Sequence, residues 1–113
     1  MRSGVTTHVL DIARGCPAVG ITALLQHKSA DVWVDIGYGV TNQTGRIDDL
    51  GADGALEPGR YRLTFETAAY FERTGSAGFY PKVRIEFEIT QPEQHYHLPL
   101  LLSPFGYSTY RGY

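Results

Sequence analysis

Cysteine is almost absent from this chain of 113 residues: Cys16 stands alone. A single thiol closes no internal disulfide, so nothing in the sequence implies an oxidising compartment. Cys16 precedes Pro17 in an expected loop, where a small, half-buried thiol is the natural reading rather than a nucleophile. Charge of one sign is lacking as well. Ten basic residues against twelve acidic ones leave a formal charge of -2, and no run of like charge exceeds two residues. Nucleic acid is therefore not the expected partner. No segment approaches ~18 consecutive apolar residues and the first residues carry no signal-like apolar stretch, so no membrane partner is expected and the chain reads as soluble and cytoplasmic. Its length suits one domain, residues 1–113, with room for a real core.

What the sequence does have is alternation. From Val5 to Asp11 the two faces of an extended segment are Val5, Thr7, Val9 and Thr6, His8, Leu10, neither wholly polar, as in a strand covered on both sides. Val19–Gln26 and Asp31–Ile36 read as further strands, joined at His27-Lys28-Ser29 with His27 exposed and without a role. Gly37 to Leu56 is rich in Gly, Asn, Asp and Thr and reads as loop, with one short strand near Arg46-Ile47. Beyond Pro58-Gly59, Tyr61, Leu63 and Phe65 alternate with Arg60, Arg62 and Thr64. Thr67–Arg73 predicts one short helix, capped by Thr67 and ended at Gly75. Val83, Ile85, Phe87 and Ile89 then alternate with Lys82, Arg84, Glu86 and Glu88. Seven or eight short strands with regular turns and one helix predict an all-β sandwich.

The last nineteen residues, HYHLPLLLSPFGYSTYRGY, carry the most chemistry. As a strand, His95, His97, Pro99 and Leu101 share one face and Tyr96, Leu98, Leu100 and Leu102 the other. Ser103-Pro104-Phe105-Gly106 supplies a turn, and a second strand is expected from Tyr107 to Tyr113. Two imidazoles on one face give at most two metal ligands, which argues against a zinc site.

This stretch closely resembles the C-terminal signature of the 5-hydroxyisourate hydrolases of the transthyretin-like family. Thr7-His8-Val9-Leu10-Asp11 with Arg14-Gly15-Cys16-Pro17-Ala18 resembles the family's opening motif, and Thr44-Gly45-Arg46-Ile47 is a third match in the expected order. The resemblance implies a transthyretin-like sandwich of two four-stranded sheets with one short helix. It also implies a homotetramer whose sheets bearing the first and last strands face each other across a central channel. The implied activity is hydrolytic opening of 5-hydroxyisourate in urate catabolism, without metal or cofactor. By the same resemblance His8, Arg46 and His97 are catalytic and His95, Tyr110 and Arg111 bind substrate, Tyr110 walling a channel that hormone-carrying transthyretins keep open with a small residue. Ser108 receives no role. The family usually ends Tyr-Arg-Gly-Ser, whereas Tyr113 stands here after Gly112.

Taken one at a time, each of these residues has a plainer explanation: His8 and Tyr110 as interface packing, Arg46 as a solvated cation, Arg111 as a partner for a carboxylate. Their coincidence in a three-part pattern is what favours chemistry for His8, Arg46 and His97. Two other classes stand beside the hydrolase. A non-catalytic carrier would hold a small ligand in the channel, and a purely structural sandwich would explain the strands but not the polar set.

Overall fold

A computed structural model describes residues 4–50 and 56–113. Two sheets pack face to face. The first is ordered β2-β1-β8-β9, from β1 (Gly4–Asp11), β2 (Cys16–Pro17), β8 (His95–Ser103) and β9 (Gly106–Thr109), with β5 (Arg46–Leu50) also pairing β1. The second is ordered β4-β3-β6-β7, from β3 (Thr22–Ser29), β4 (Val32–Val40), β6 (Gly59–Phe65) and β7 (Val83–Ile89). The expected pair of four-stranded sheets is thus present, and the two-residue β2 extends the first to five. β2 and β5 take successive stretches of the same side of β1: Leu10 and Asp11 pair with β2, Val5 to His8 with β5.

The core is the inward-facing half of each alternation. Val5 and Val9 of β1, Leu25 of β3, Leu63 and Phe65 of β6, Val83 and Ile89 of β7, and Leu100 and Leu102 of β8 are all almost fully buried. Each such side chain contributes about 1.5–3 kcal/mol relative to exposure, and together they outweigh any surface interaction in the molecule. Helix α1 (Thr67–Arg73) adds Thr67, Tyr70 and Phe71, spaced to fall on one helical face. Tyr70 donates a 2.7 Å hydrogen bond to the buried Asp11 carboxylate, which also accepts the backbone N–H of Ala13 and Arg14. Burial, and then the Asp11 hydrogen bond and charge, push the Tyr70 phenol up to about 12, so it stays a donor.

Several sequence expectations shift. Strand β3 begins at Thr22 rather than Val19, because Gly20 takes a left-handed backbone (φ 86°), and it runs on to Ser29. The link expected at His27–Ser29 is therefore strand, and His27 is neither fully exposed nor idle: its ring stacks on Tyr61 at 4.3 Å, nearly parallel. Gly37–Val40, expected as loop, completes β4. Gly39 is needed there, since a Cβ would lie 2.7 Å from Ile47 Cγ2 of β5. The 51–55 part of that expected loop lies outside the described residues. Thr67 does not cap the helix; Glu66 holds the cap position without a side-chain bond, and Thr67 Oγ1 donates to the Tyr80 carbonyl at 2.7 Å. Finally, β9 stops at Thr109, and the tail returns to β8 through a single bridge, Gly112 N–H to His97 O at 2.8 Å.

Candidate active site

The site is built on the parallel pairing of β1 with β8, which places Thr6 opposite His97 and His8 opposite Pro99. Thr7, fully buried, locks that register from the core side by donating Oγ1 to the Leu98 carbonyl at 2.6 Å. Alternation then turns Thr6 and His8 outward beside His95 and His97.

On the other side of β1, β5 brings Arg46 opposite His8. The ladder is irregular between Val5 and Thr7, where β1 passes from Leu50 to Ile47 as partner and leaves Thr6 beside the Asp48–Asp49 stretch. The loop before β5 is organised by Asn42, whose Oδ1 accepts the backbone N–H of Thr44 and of Arg46, both at 3.0 Å, and the Thr44 hydroxyl at 2.8 Å. Gly45, at φ 79°, allows the tight return and accepts the Val9 N–H at 2.7 Å. This loop aims the Thr44 carbonyl at His8 Nε2, 2.9 Å away. A carbonyl only accepts, so Nε2 carries the hydrogen and the neutral ring keeps its lone pair on Nδ1.

Thr6, Arg46, Asp48, His95, His97 and Tyr113 line an open, polar cleft of about 420 Å3. Thr6 is 4 % exposed, and its Oγ1 stands 2.8 Å from His95 Nε2 and 2.7 Å from His97 Nδ1. The imidazoles of His95 and His97 are 6.2 Å apart. Partial burial, then the positive charge of Arg46 and the neighbouring His95 and His8, hold the His97 pKa below its usual value of 6.5, with Asp48 opposing. His97 is accordingly a neutral base at pH 7. Among the described residues no group of three or more His, Cys, Asp and Glu is placed to hold a metal ion.

Of the sequence-predicted residues, the fold brings Arg46, His95 and His97 into one cleft and His8 alongside it, paired with Arg46 and acting electrostatically on His97. It does not bring in Tyr110 and Arg111. They line a separate, mainly apolar groove of about 270 Å3 between the sheet edges, with Ile85, Phe87, Tyr96 and Leu98 among its other walls. Arg111 does connect the two places: its guanidinium lies 4.4 Å from the Tyr96 ring and 5.2 Å from the ring of Tyr113. Thr6 and Asp48 are the cleft residues that sequence reasoning passed over. Both had a signal in alternation, which puts Thr6 on the face of His8 and Asp48 on the face of Arg46.

The fold agrees with what this chain is similar to. The 5-hydroxyisourate hydrolase of Salmonella typhimurium is 44% identical over 108 residues, covering 96% of this chain and 79% of the relative. The structure of Klebsiella pneumoniae 5-hydroxyisourate hydrolase superposes with a TM-score of 0.86 at 40% identity, each chain covered in full. Sea bream transthyretin in complex with thyroxine superposes with a TM-score of 0.89 at 37% identity, over 96% of this chain and 93% of the other. Backbone likeness alone therefore does not divide hydrolases from carriers; side chains must. With the HIUase/Transthyretin family matching residues 5–112, this chain belongs to that family.

Proposed function

We infer that this chain is a 5-hydroxyisourate hydrolase, acting in urate degradation to give 2-oxo-4-hydroxy-4-carboxy-5-ureidoimidazoline. The observation that carries the reading is the convergence of His8, Arg46 and His97, from three distant segments, on one sheet face at a polar cleft. Sequence identity with named hydrolases supports it across 96% of the chain.

Hydrolysis adds water across a ring C–N bond: the water oxygen joins the carbonyl carbon, the bond to nitrogen breaks, and the nitrogen takes a proton. His97 is the base. Its depressed pKa leaves it unprotonated at neutral pH, and with Nδ1 held at Thr6 the other ring nitrogen, Nε2, is the one to accept a proton from water. His8, its tautomer fixed by the Thr44 carbonyl, orients the water through Nδ1. Arg46 offers a planar pair of N–H donors to the substrate oxygens and to the negative charge that develops on the attacked carbonyl. His95 and the Tyr113 ring complete the wall on the tail side, and Arg111 supports Tyr113 from behind.

The working unit is a homotetramer of single-domain subunits in the cytoplasm, with the first sheets facing a shared channel. In it Tyr110 serves as a channel wall rather than as part of one subunit's cleft. The carrier reading is favoured by the likeness to a thyroxine-bound transthyretin. It is opposed by the lining here, a set of imidazoles and a guanidinium rather than an apolar tube.

The deciding experiment adds the protein to urate and urate oxidase and follows the ultraviolet decay of freshly formed 5-hydroxyisourate. Decay well above the spontaneous rate is expected. A folded protein that leaves the spontaneous rate unchanged overturns the hydrolase and leaves the carrier.

A further inference from the structure

The Thr6 hydroxyl occupies an unusual position. It is almost inaccessible to solvent, lies on the first strand, and stands at hydrogen-bond distance from two imidazoles of another strand: His95 Nε2 at 2.8 Å and His97 Nδ1 at 2.7 Å. A hydroxyl has one proton to give and lone pairs to receive. If Thr6 donates to His95, it must accept from His97 Nδ1–H; if it donates to His97, it must accept from His95 Nε2–H. Whenever the hydroxyl proton lies on one of these two bonds, the tautomers of the two rings, 6.2 Å apart, are tied to each other through one oxygen. The rings differ in setting, His97 being half-buried in the cleft and His95 exposed to solvent.

We propose that Thr6 is a positioning residue and proton relay, coupling His97 in the cleft to His95 at the surface. The proposal rests on the hydrolase reading for its catalytic consequence. Before reaction His97 Nδ1–H donates to Thr6 and the Thr6 hydroxyl donates to His95 Nε2, leaving His97 Nε2 as the base. When Nε2 takes a proton from water, the Nδ1 proton passes to Thr6 Oγ and the Thr6 proton passes to His95 Nε2. His97 is then neutral with its hydrogen on Nε2, Thr6 is again a hydroxyl, and His95 is the imidazolium. One proton has moved, no charge is created or lost, and the positive charge sits on the exposed ring, where water solvates it.

The groups around His97 favour that direction. Arg46 on β5, His8 on β1 and His95 on β8 all disfavour a charge on His97, while Asp48 on β5 favours one. Tyr113 of the tail shares the cleft, and the Gly112 N–H holds the His97 backbone carbonyl. Moving the proton outward takes positive charge away from Arg46. For protonation of the leaving nitrogen the relay runs in reverse: His95 Nε2–H returns its proton to Thr6 Oγ, the Thr6 proton passes to His97 Nδ1, and His97 Nε2 gives its proton to the nitrogen.

The test compares Thr6→Val, which keeps the shape and removes the hydroxyl, with Thr6→Ser, which keeps the hydroxyl. In the full chain, with 5-hydroxyisourate generated from urate, Thr6→Val is expected to lower kcat by at least about tenfold near neutral pH. KM is expected to stay within about twofold, since the interaction lost is made in proton transfer rather than in binding. Added imidazole buffer should raise the rate of the valine variant in proportion to its concentration, and the serine variant should recover most of the lost rate. In the unliganded protein, NMR of the imidazole nitrogens should show His95 and His97 titrating as a coupled pair, and Thr6→Val should uncouple them. A valine variant with wild-type kcat and pH profile overturns the relay, as does a serine variant as impaired as the valine one. If the wild-type protein turns nothing over, the hydrolase reading fails and the NMR decides on its own: independent titration of the two rings in the wild type overturns the coupling.

Discussion

The two sheets each turn a polar face outward, and they treat their polar groups in opposite ways. On the β4-β3-β6-β7 sheet the cations are matched locally. Arg60 pairs with Glu86 at 3.6 Å, Arg62 donates to Gln26 at 2.7 Å and lies 4.3 Å from the Trp33 ring, and Arg84 donates to Thr64 at 3.1 Å. Gln26 in turn donates to Asp35 at 2.9 Å. On the β1–β8 face the contacts orient rather than neutralise. Thr6 meets one nitrogen of His95 and one of His97, the Thr44 carbonyl meets one of His8, each ring keeps its other nitrogen for a ligand, and Arg46 and Asp48 act on His97 in opposite directions. A polar surface that satisfies itself gives solubility and little else. One that stays incomplete is disposed to bind.

Substitution on either side sharpens this contrast. His97→Ala should lower kcat/KM for 5-hydroxyisourate by about 10^2 to 10^4, the usual contribution of a general base. Retained turnover with unaltered folding would erase the distinction between the faces. A smaller effect comes from pH. Because folding holds the His97 pKa below 6.5, the unfolded chain binds more protons over the interval between the two values, so this group's contribution to stability is complete above 6.5 and is lost as pH falls through the folded value. Turnover should fall over the same acid limb as the base becomes protonated. Stopped rates and thermal melts stepped down from about pH 7.5 to pH 5 check both, and a rate that rises toward acid would contradict the role of neutral His97. The smallest effect belongs to the other sheet. Arg60→Ala removes one ion pair whose partners are 57 % and 52 % exposed and should cost no more than about 1 kcal/mol in a denaturant melt. Turnover should not change; a loss there would mean the second sheet communicates with the cleft.

How legible this was depended on distance along the chain. Strand β8 could be read almost whole, because Tyr96, Leu98, Leu100 and Leu102 alternate strictly and all four are buried. Strand β1 betrayed its two covered faces in the same way. His8, Arg46, His95 and His97 were found through motif resemblance, and the structure then supplied what no motif could: which of them share a cleft. Strand β4 was cut short in the reading because Gly37 and Gly39 look like loop, yet Gly39 is small to admit Ile47 from a strand seven residues further on. His27 was dismissed because its partner, Tyr61, lies across the β3–β6 pairing and leaves no mark near position 27. Tyr110 was read as a substrate-binding channel wall from its place in a signature, and within one subunit it lines the apolar groove at the sheet edges. Its position relative to a neighbouring subunit is not encoded locally at all.

The pairing of the first long strand with the penultimate one also has a temporal meaning. Thr6 lies 89 residues from His95 and 91 from His97, so the cleft joins strands far apart along the chain. In a chain synthesised from its N-terminus, β1 emerges before β3 to β7 and must wait for all of them before its partner exists. Contacts of such separation form late and slowly. No nascent or truncated product lacking β8 can possess the histidine pair. Turnover is therefore also a certificate that β1 and β8 have met, and an activity assay counts the molecules in which they have without needing to see the others.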